Sequence, residues 1–501
     1  ISGCIDTQKV HISSAIASGY KYMLIVTSDE AKARKMCDDA SFFNKEAIYY
    51  PAKDAIFYSA DVHGNQITGE RLRCISRIIN HSSTGEGVLT VVTTMDGIAD
   101  RLIPVERFKE AVITLDYSSE IEPEKLAKKL VAMGFVRTRM VEDKGQFAIR
   151  GGIIDIFSYT DEAPVRIELW DTEVDSIRMF DVESQRSIER LQSYSIFPAT
   201  EYIFTEDELK NGLYNIKKEC DRQLECFDYG KRKRTKEQIE AGNNLNKLVA
   251  DVERTGNYEK FTDTIVADTV GLAEYFPEEN TLVVLDEPNR LKECNELTLY
   301  EYNESMKNRL AAGYVLPSQT NKVKAMNEII SDLRNNKKLI LTTLDYKPEG
   351  FEIDYSMYIT ARSISSYNNS FEYLAKDLEK YKKNGYTTIL VCSSRTRALR
   401  IVDDLGKLGI ASFYSEDFNK DYGSGLIIVT YGSLHKGFEY PVLSFVVIAE
   451  NDIFSARKMK KLKKKKHDGK NIASFNELNI GDYVVHESHG LGVYKGIEKI
   501  Q

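Results

Sequence analysis

The sequence predicts a multidomain α/β protein: a parallel α/β layer interrupted by a small α+β insert, then a further α/β unit, then the first strands of a small β-barrel. Three observations lead there. The apolar runs Tyr22–Val26, Val88–Thr93 and Thr281–Leu285 are separated by helical stretches, the pattern of strands buried on both faces of a parallel sheet. Near Asp116 this gives way to short strands with alternating polarity, and the long pattern resumes later. At 501 residues the chain also exceeds what one core fills, so roughly three to five domains are expected.

Taken in order, residues 1–113 carry the strand Tyr22–Val26, a helix over about Ser28–Phe43, the strand Val88–Thr93 and a helical turn beginning at Ile98–Leu102. The insert, 114–197, opens with the helix Pro123–Met133, whose proline sits where a missing N–H costs little, and Gly134 closes it. Strands follow over Gln146–Phe157, Pro164–Trp170 and Val174–Phe180. Residues 198–362 return to the layer with a charged helical stretch over Glu206–Asn257 and strands at Thr281–Leu285 and Leu339–Thr342. A third unit, 363–455, reads helix Phe371–Lys383, strand Thr387–Cys392, helix Ser394–Leu408, and strands Leu426–Thr430 and Leu443–Ile448. The lysine-rich stretch within 456–473 repels itself and reads as a solvated linker. In 474–501, Asp482–His486 and Gly492–Gly496 look like barrel strands, and the chain stops before such a barrel closes.

Composition narrows the function classes. A net charge of -8 argues against the whole surface trapping nucleic acid, leaving two local basic patches, Lys231–Lys236 and Arg457–Lys466. No leader or long uncharged apolar run occurs, and a first residue of Ile1 suggests a fragment or processed form. Seven scattered cysteines without a CxxC pair read as reduced, mostly buried thiols of a cytoplasmic protein.

The most informative motif is an absent one. Nucleotide hydrolysis on a parallel layer needs GxxxxGK[ST], whose backbone N–H groups hold phosphates, and the chain has none. Where a first phosphate loop would sit, the sequence runs Ser2-Gly3-Cys4-Ile5-Asp6-Thr7-Gln8-Lys9. Asp286 and Glu287 end a buried strand like an acidic metal-binding motif, and without the loop they read with Lys9 as a vestigial site. No GxSxG, HExxH or GxGxxG follows, and His486 and His489 lack a third ligand, so no metal and no catalytic residue is expected.

The positive signal lies in the insert. In Val165-Arg166-Ile167-Glu168-Leu169-Trp170, alternation sends Val165, Ile167 and Leu169 to the core and Arg166, Glu168 and Trp170 outward. Across the turn, Ile177 and Met179 point in, while Arg178 and Phe180 point out. Arg150 lies opposite Phe147 and Ile149, before a Gly151-Gly152 bend. Arginine beside exposed tryptophan on a rigid sheet has the composition of a binding hot spot. It equally suits a cation–π pair that only covers its own surface.

These residues carry a resemblance. Gly145-Gln146-Phe147-Ala148-Ile149-Arg150-Gly151-Gly152-Ile153-Ile154-Asp155-Ile156-Phe157, with Val165–Asp181, resembles the second domain of the UvrB/Mfd family, and Ile480–Tyr494 is similar to the start of the family's RNA-polymerase-interacting domain. The segment order favours the transcription-repair-coupling branch. The resemblance implies a degenerate RecA/helicase-like layer (1–113 and 198–362), a UvrA-binding insert with Arg150, Arg166 and Trp170 as key positions and Arg178 and Phe180 as candidate additions, and an SH3/Tudor-like barrel. The family usually has Phe where Trp170 stands. Leu491, Val493 and Tyr494 would supply part of a contact to the RNA polymerase β subunit. The resemblance also implies that a C-terminal domain masks the UvrA surface, and that ATP, Mg2+ and most double-stranded DNA contact belong to motor domains outside this chain. An adaptor without ATPase activity is thus expected. The alternatives are a UvrB-like DNA-dependent ATPase and a shell that binds DNA through its basic patches.

Overall fold

A computed structural model describes residues 1–44, 46–53, 65–84, 87–227, 235–266, 268–417, 422–454, 483–486 and 490–493. The basic stretches 231–234 and 455–473 lie outside these, as do His489 and Tyr494.

The first layer is a five-stranded parallel sheet. Its early strands are β1 (Tyr22–Thr27), β2 (Glu46–Tyr50) and β3 (Leu89–Thr94), and β1 pairs in register with β3, Leu24 opposite Val91. Every residue of β1 and β3 is buried, because helices cover both faces. Tyr22, Leu24 and Val26 pack with Ile75 and Ile78 of the helix Asn65–Thr84 on one side. Met23 and Ile25 pack on the other against α1 (Asp6–Ala17) and α2 (Glu30–Asn44), through Val10, Ala33 and Ala40. The turn expected at Ile98–Leu102 lies earlier, at Met95–Ile98. Thr94 caps it by accepting the Gly97 N–H, and Leu102 instead pairs by backbone with Val270.

The insert is entered and left through paired strands, β4 (Ile113–Asp116) antiparallel to β11 (Ser193–Ile196), with Ile113 opposite Ile196. Between them a six-stranded sheet runs in the order β10-β9-β8-β7-β6-β5, comprising β5 (Val136–Arg137), β6 (Gln146–Arg150), β7 (Ile153–Phe157), β8 (Val165–Trp170), β9 (Glu173–Phe180) and β10 (Ser187–Arg190). The row Ile149, Ile154, Ile167 and Ile177 crosses four strands on the inner face. It packs against Leu126, Ala127 and Leu130 of the helix Pro123–Ala132. The run read as one strand over Gln146–Phe157 is a hairpin turning at Gly151 (φ +61°). A Cβ on Gly152 would stand 2.8 Å from the Leu169 carbonyl, so that close approach admits only glycine.

The chain then forms two long helices, Glu206–Phe227 and Lys236–Thr255, and re-enters the first sheet as β12 (Thr281–Asp286) and β13 (Lys337–Leu341), completing the order β13-β12-β1-β3-β2. Where the insert rejoins the layer, Arg71 is fully buried over the Tyr50 ring. Its guanidinium donates to Glu201 at 2.8 Å, Asp100 at 2.6 Å and the Pro51 carbonyl at 2.9 Å. This pairing satisfies a charge that would otherwise be prohibitive to bury.

The third unit holds β14 (Arg362–Ser363), β15 (Thr387–Cys392), β16 (Phe413–Tyr414), β17 (Ile427–Tyr431), β18 (Phe438–Tyr440) and β19 (Phe445–Ala449). Their order is β14-β18-β19-β15-β17-β16, with β15 parallel to both neighbours. Helices Phe371–Lys383 and Arg395–Lys407 cover it, each capped by a serine hydroxyl, Ser370 or Ser394. Although it has its own core, it docks on α1 and α2. Asp39 accepts from the Thr7 hydroxyl at 2.9 Å and the His435 N–H at 2.8 Å, and Gly432 lies so close to Phe42 that a Cβ would overlap its ring. Finally β20 (Tyr483–His486) and β21 (Gly490–Val493) form an antiparallel pair.

Candidate partner-binding surface

The outer face of the insert is built by cross-strand register. Ala148, Asp155, Arg166 and Arg178 stand side by side on β6 to β9, and the next row is Arg150, Ile153, Glu168 and Ser176. Asp155 is buried (1% exposed) between two arginines. It accepts Arg166 Nε at 2.6 Å and Nη2 at 2.9 Å in a bidentate pair, and Arg150 Nη2 at 2.6 Å. Hydrogen bonding to Asp155, opposed by burial, raises the Arg166 guanidinium above its ordinary value. Arg166 Nη2 also reaches Gln185 Oε1 at 2.9 Å, and its guanidinium lies 4.4 Å from the Phe180 ring centroid. Gln185 (φ +58°) is placed by the loop 181–186: its N–H donates to the Asp181 carbonyl, and its side chain donates to the Val182 carbonyl. Glu168 pairs with Arg178 and accepts the Ser176 hydroxyl.

Two expectations are corrected here. Phe180 is on the outer face but buried, because Arg166 lies across it; the cation–π pair is Arg166–Phe180. Trp170 is not beside Arg166 but four residues along, about 13 Å at strand rise. A register shift between Glu168 and Leu169 sets off this end of the hairpin, where Trp170 is 79% exposed. The adjoining turn (Asp171 φ +59°) is tied down, with the Thr172 carbonyl accepting the Ile121 N–H at 2.7 Å. The exposed features are therefore Trp170 at the tip and Arg150 (44%), while Arg166 (13%) is mostly covered. The pattern reading missed Asp155 and Gln185. The signal for Asp155 was an acid inside the apolar run Ile153-Ile154-Asp155-Ile156-Phe157; nothing local marked Gln185.

The structure also brings Lys9, Asp286 and Glu287 together. Lys9 Nζ lies 2.7 Å from Asp286 Oδ1 and 2.6 Å from Glu287 Oε1, Lys32 pairs with Asp286, and the Thr27 hydroxyl donates to Asp286 at 2.7 Å. Burial pulls the Lys9 ammonium down, but Asp286 and Glu287 outweigh it and hold it above 10.5. Burial pushes the Asp286 carboxyl up, and Lys9 and Lys32 hold it below 3.8. Glu287 adopts a left-handed backbone (φ +57°), a strained conformation for a residue with a side chain. It is fixed there by Lys9 and by the Thr343 N–H and hydroxyl at 2.7 and 2.6 Å. Leu491 and Val493 lie on β21; Tyr494 is outside the described residues. Among the described residues, no cluster of three or more His, Cys, Asp or Glu side chains suited to a metal ion occurs, and no helix is long and apolar enough to cross a membrane.

Comparison with known proteins places these features. Residues 113–202 match the family described as UvrB interaction domain, and residues 478–501 match the CarD-like/TRCF RID domain. A transcription-repair-coupling factor of Bacillus subtilis (strain 168) is 31% identical over 515 aligned residues, covering 100% of this chain and 42% of the relative. Proteins of the same description from Staphylococcus epidermidis (strain RP62A) and Staphylococcus haemolyticus are 29% and 28% identical, covering 98% and 96% of the chain. The chain spans about two-fifths of the length of these curated relatives.

Proposed function

We infer, for a chain that belongs to the transcription-repair-coupling factor family, that its insert is an adaptor that recruits UvrA to RNA polymerase stalled at DNA damage. The observation that carries this reading is the tip of the insert. A large aromatic, 79% exposed, stands at the tip of a hairpin whose sheet also presents the outward Arg150 on the same face, in the segment that matches the UvrB interaction domain. Trp170 would fill an apolar pocket of UvrA and Arg150 would meet an acidic group, the pairing expected of an interface hot spot.

The rest of the proposal follows the family. The first layer is read as a degenerate RecA/helicase-like layer that turns over no nucleotide, a reading supported by Lys9 being held by Asp286 and Glu287. Residues 474–501 are read as the start of an SH3/Tudor-like barrel that contacts the RNA polymerase β subunit, with Leu491, Val493 and Tyr494 in that contact. ATP, Mg2+ and DNA translocation are assigned to parts of the full-length protein that this chain does not span, as is a C-terminal domain that masks the insert.

The test is capture of purified UvrA by the chain. Arg150→Ala with Trp170→Ala should abolish capture while leaving the chain folded, because Trp170 is exposed and Asp155 keeps its bidentate pair with Arg166. Undiminished capture by this double variant would remove the surface from consideration.

A further inference from the structure

Arg166 and Arg150 are spent differently. Arg166 has one face of its guanidinium and most of its N–H groups engaged within the insert: a bidentate pair with Asp155, a bond to Gln185, and the Phe180 ring beneath. Arg150 makes a single bond, to the same Asp155 oxygen that Arg166 Nη2 uses, and is the more exposed of the two. Asp155 is covered and cannot touch a partner. One buried carboxylate facing two guanidiniums leaves a positive excess, and that excess emerges at Arg150.

We propose that Asp155 is the positioning residue of this surface: anchored by Arg166, which Gln185 holds in turn, it keeps the Arg150 guanidinium in one orientation, so that Arg150 alone receives a partner carboxylate. This rests on the adaptor reading and specifies how the surface works. An arginine side chain free in solution samples many rotamers, and binding must then restrict it. Fixing one guanidinium nitrogen on Asp155 removes part of that cost in advance. Arg166 then acts on the partner through Asp155, not by contact. The register supports this division, because Asp155 lies directly between Ala148 of β6 and Arg166 of β8 and beside the row that carries Arg150.

Double-mutant cycles on UvrA affinity, measured by calorimetry with the full chain, separate the possibilities. Asp155→Asn and Arg166→Ala should each weaken binding roughly tenfold or more, as loss of support for a hydrogen-bonded interface charge does. In an Arg150→Ala background both should lose most of their effect. Gln185→Ala, a milder change that keeps every charge, should weaken binding severalfold with the same dependence on Arg150, and it keeps the test open if Asp155→Asn does not fold. Effects that add to Arg150→Ala would overturn the proposal and make Arg166 a direct contact. So would full affinity in folded Asp155→Asn. If Arg150→Ala and Trp170→Ala themselves leave affinity unchanged, the adaptor reading fails instead.

Discussion

Replacing Lys9 with methionine tests whether its pairing with Asp286 and Glu287 is a structural lock. Lys9 and Asp286 are 3% and 0% exposed, so the substitution strands a buried carboxylate. Removing one partner of such a pair typically costs about 3–5 kcal/mol. Lys32 and the Thr27 hydroxyl remain on Asp286, which puts the expected loss at the lower end, about 3 kcal/mol. The chain has several cores, so a local measurement is needed: hydrogen exchange of the β1 and β12 amides should accelerate about 100-fold. The pH dependence has a defined sign. Asp286 is depressed, so its contribution is complete above 3.8 and lost as pH falls through its folded value; Lys9 is raised, so its contribution is complete below 10.5 and lost as pH rises through its folded value. Wild-type exchange protection from the lock should therefore be flat between those limits and absent from the variant's pH profile. Exchange in Lys9→Met within threefold of wild type would refute the lock.

Two further outcomes are expected. Cys226 is exposed, while burial pushes the Cys37 and Cys392 thiols up to about 12, so a maleimide at neutral pH should label Cys226 well before either, with mass spectrometry identifying the site. Asp39→Ala removes the acceptor of Thr7 and His435 between the first layer and the third unit, and should cost about 2 kcal/mol of docking, seen as faster exchange of the His435 amide with β15 unchanged.

The layered fold was legible because its strands are apolar runs whose composition does not depend on distant partners: β1, β12, β15 and the two helices of the third unit fall within a residue or two of expectation. The helix α1 was not legible. Its buried positions include Thr7, Gln8, Lys9, Ser13 and Ser14, so no apolar stripe marks it, and Thr7 and Lys9 find their partners in residues as remote as Asp39 and Asp286. The edge strand β2 is half-exposed and escaped notice for a related reason. At the surface, alternation correctly gave the face of Arg166, Phe180 and Trp170 but not their exposure. Exposure depends on what crosses that face, and here Arg166 lies across Phe180 while the register shift leaves Trp170 at an open tip.

The neck formed by β4 and β11 has a consequence for how this architecture can be rearranged. Ile113 and Ile196 are Cα partners, so the insert begins and ends at one point, as an accessory does in a socket. A short turn across that point would reconnect the layer without the insert, and the same two ends would accept a different domain. The layer would keep its sheet, whose strands are all contributed from outside the insert. What excision would disturb is the fastening just beyond the neck, where Glu201 meets Arg71. The insert and the body are in this sense separable inventions, joined by a ribbon, by Glu201 with its partners Arg71 and Lys53, and by Tyr159 of the insert packed over Gly69.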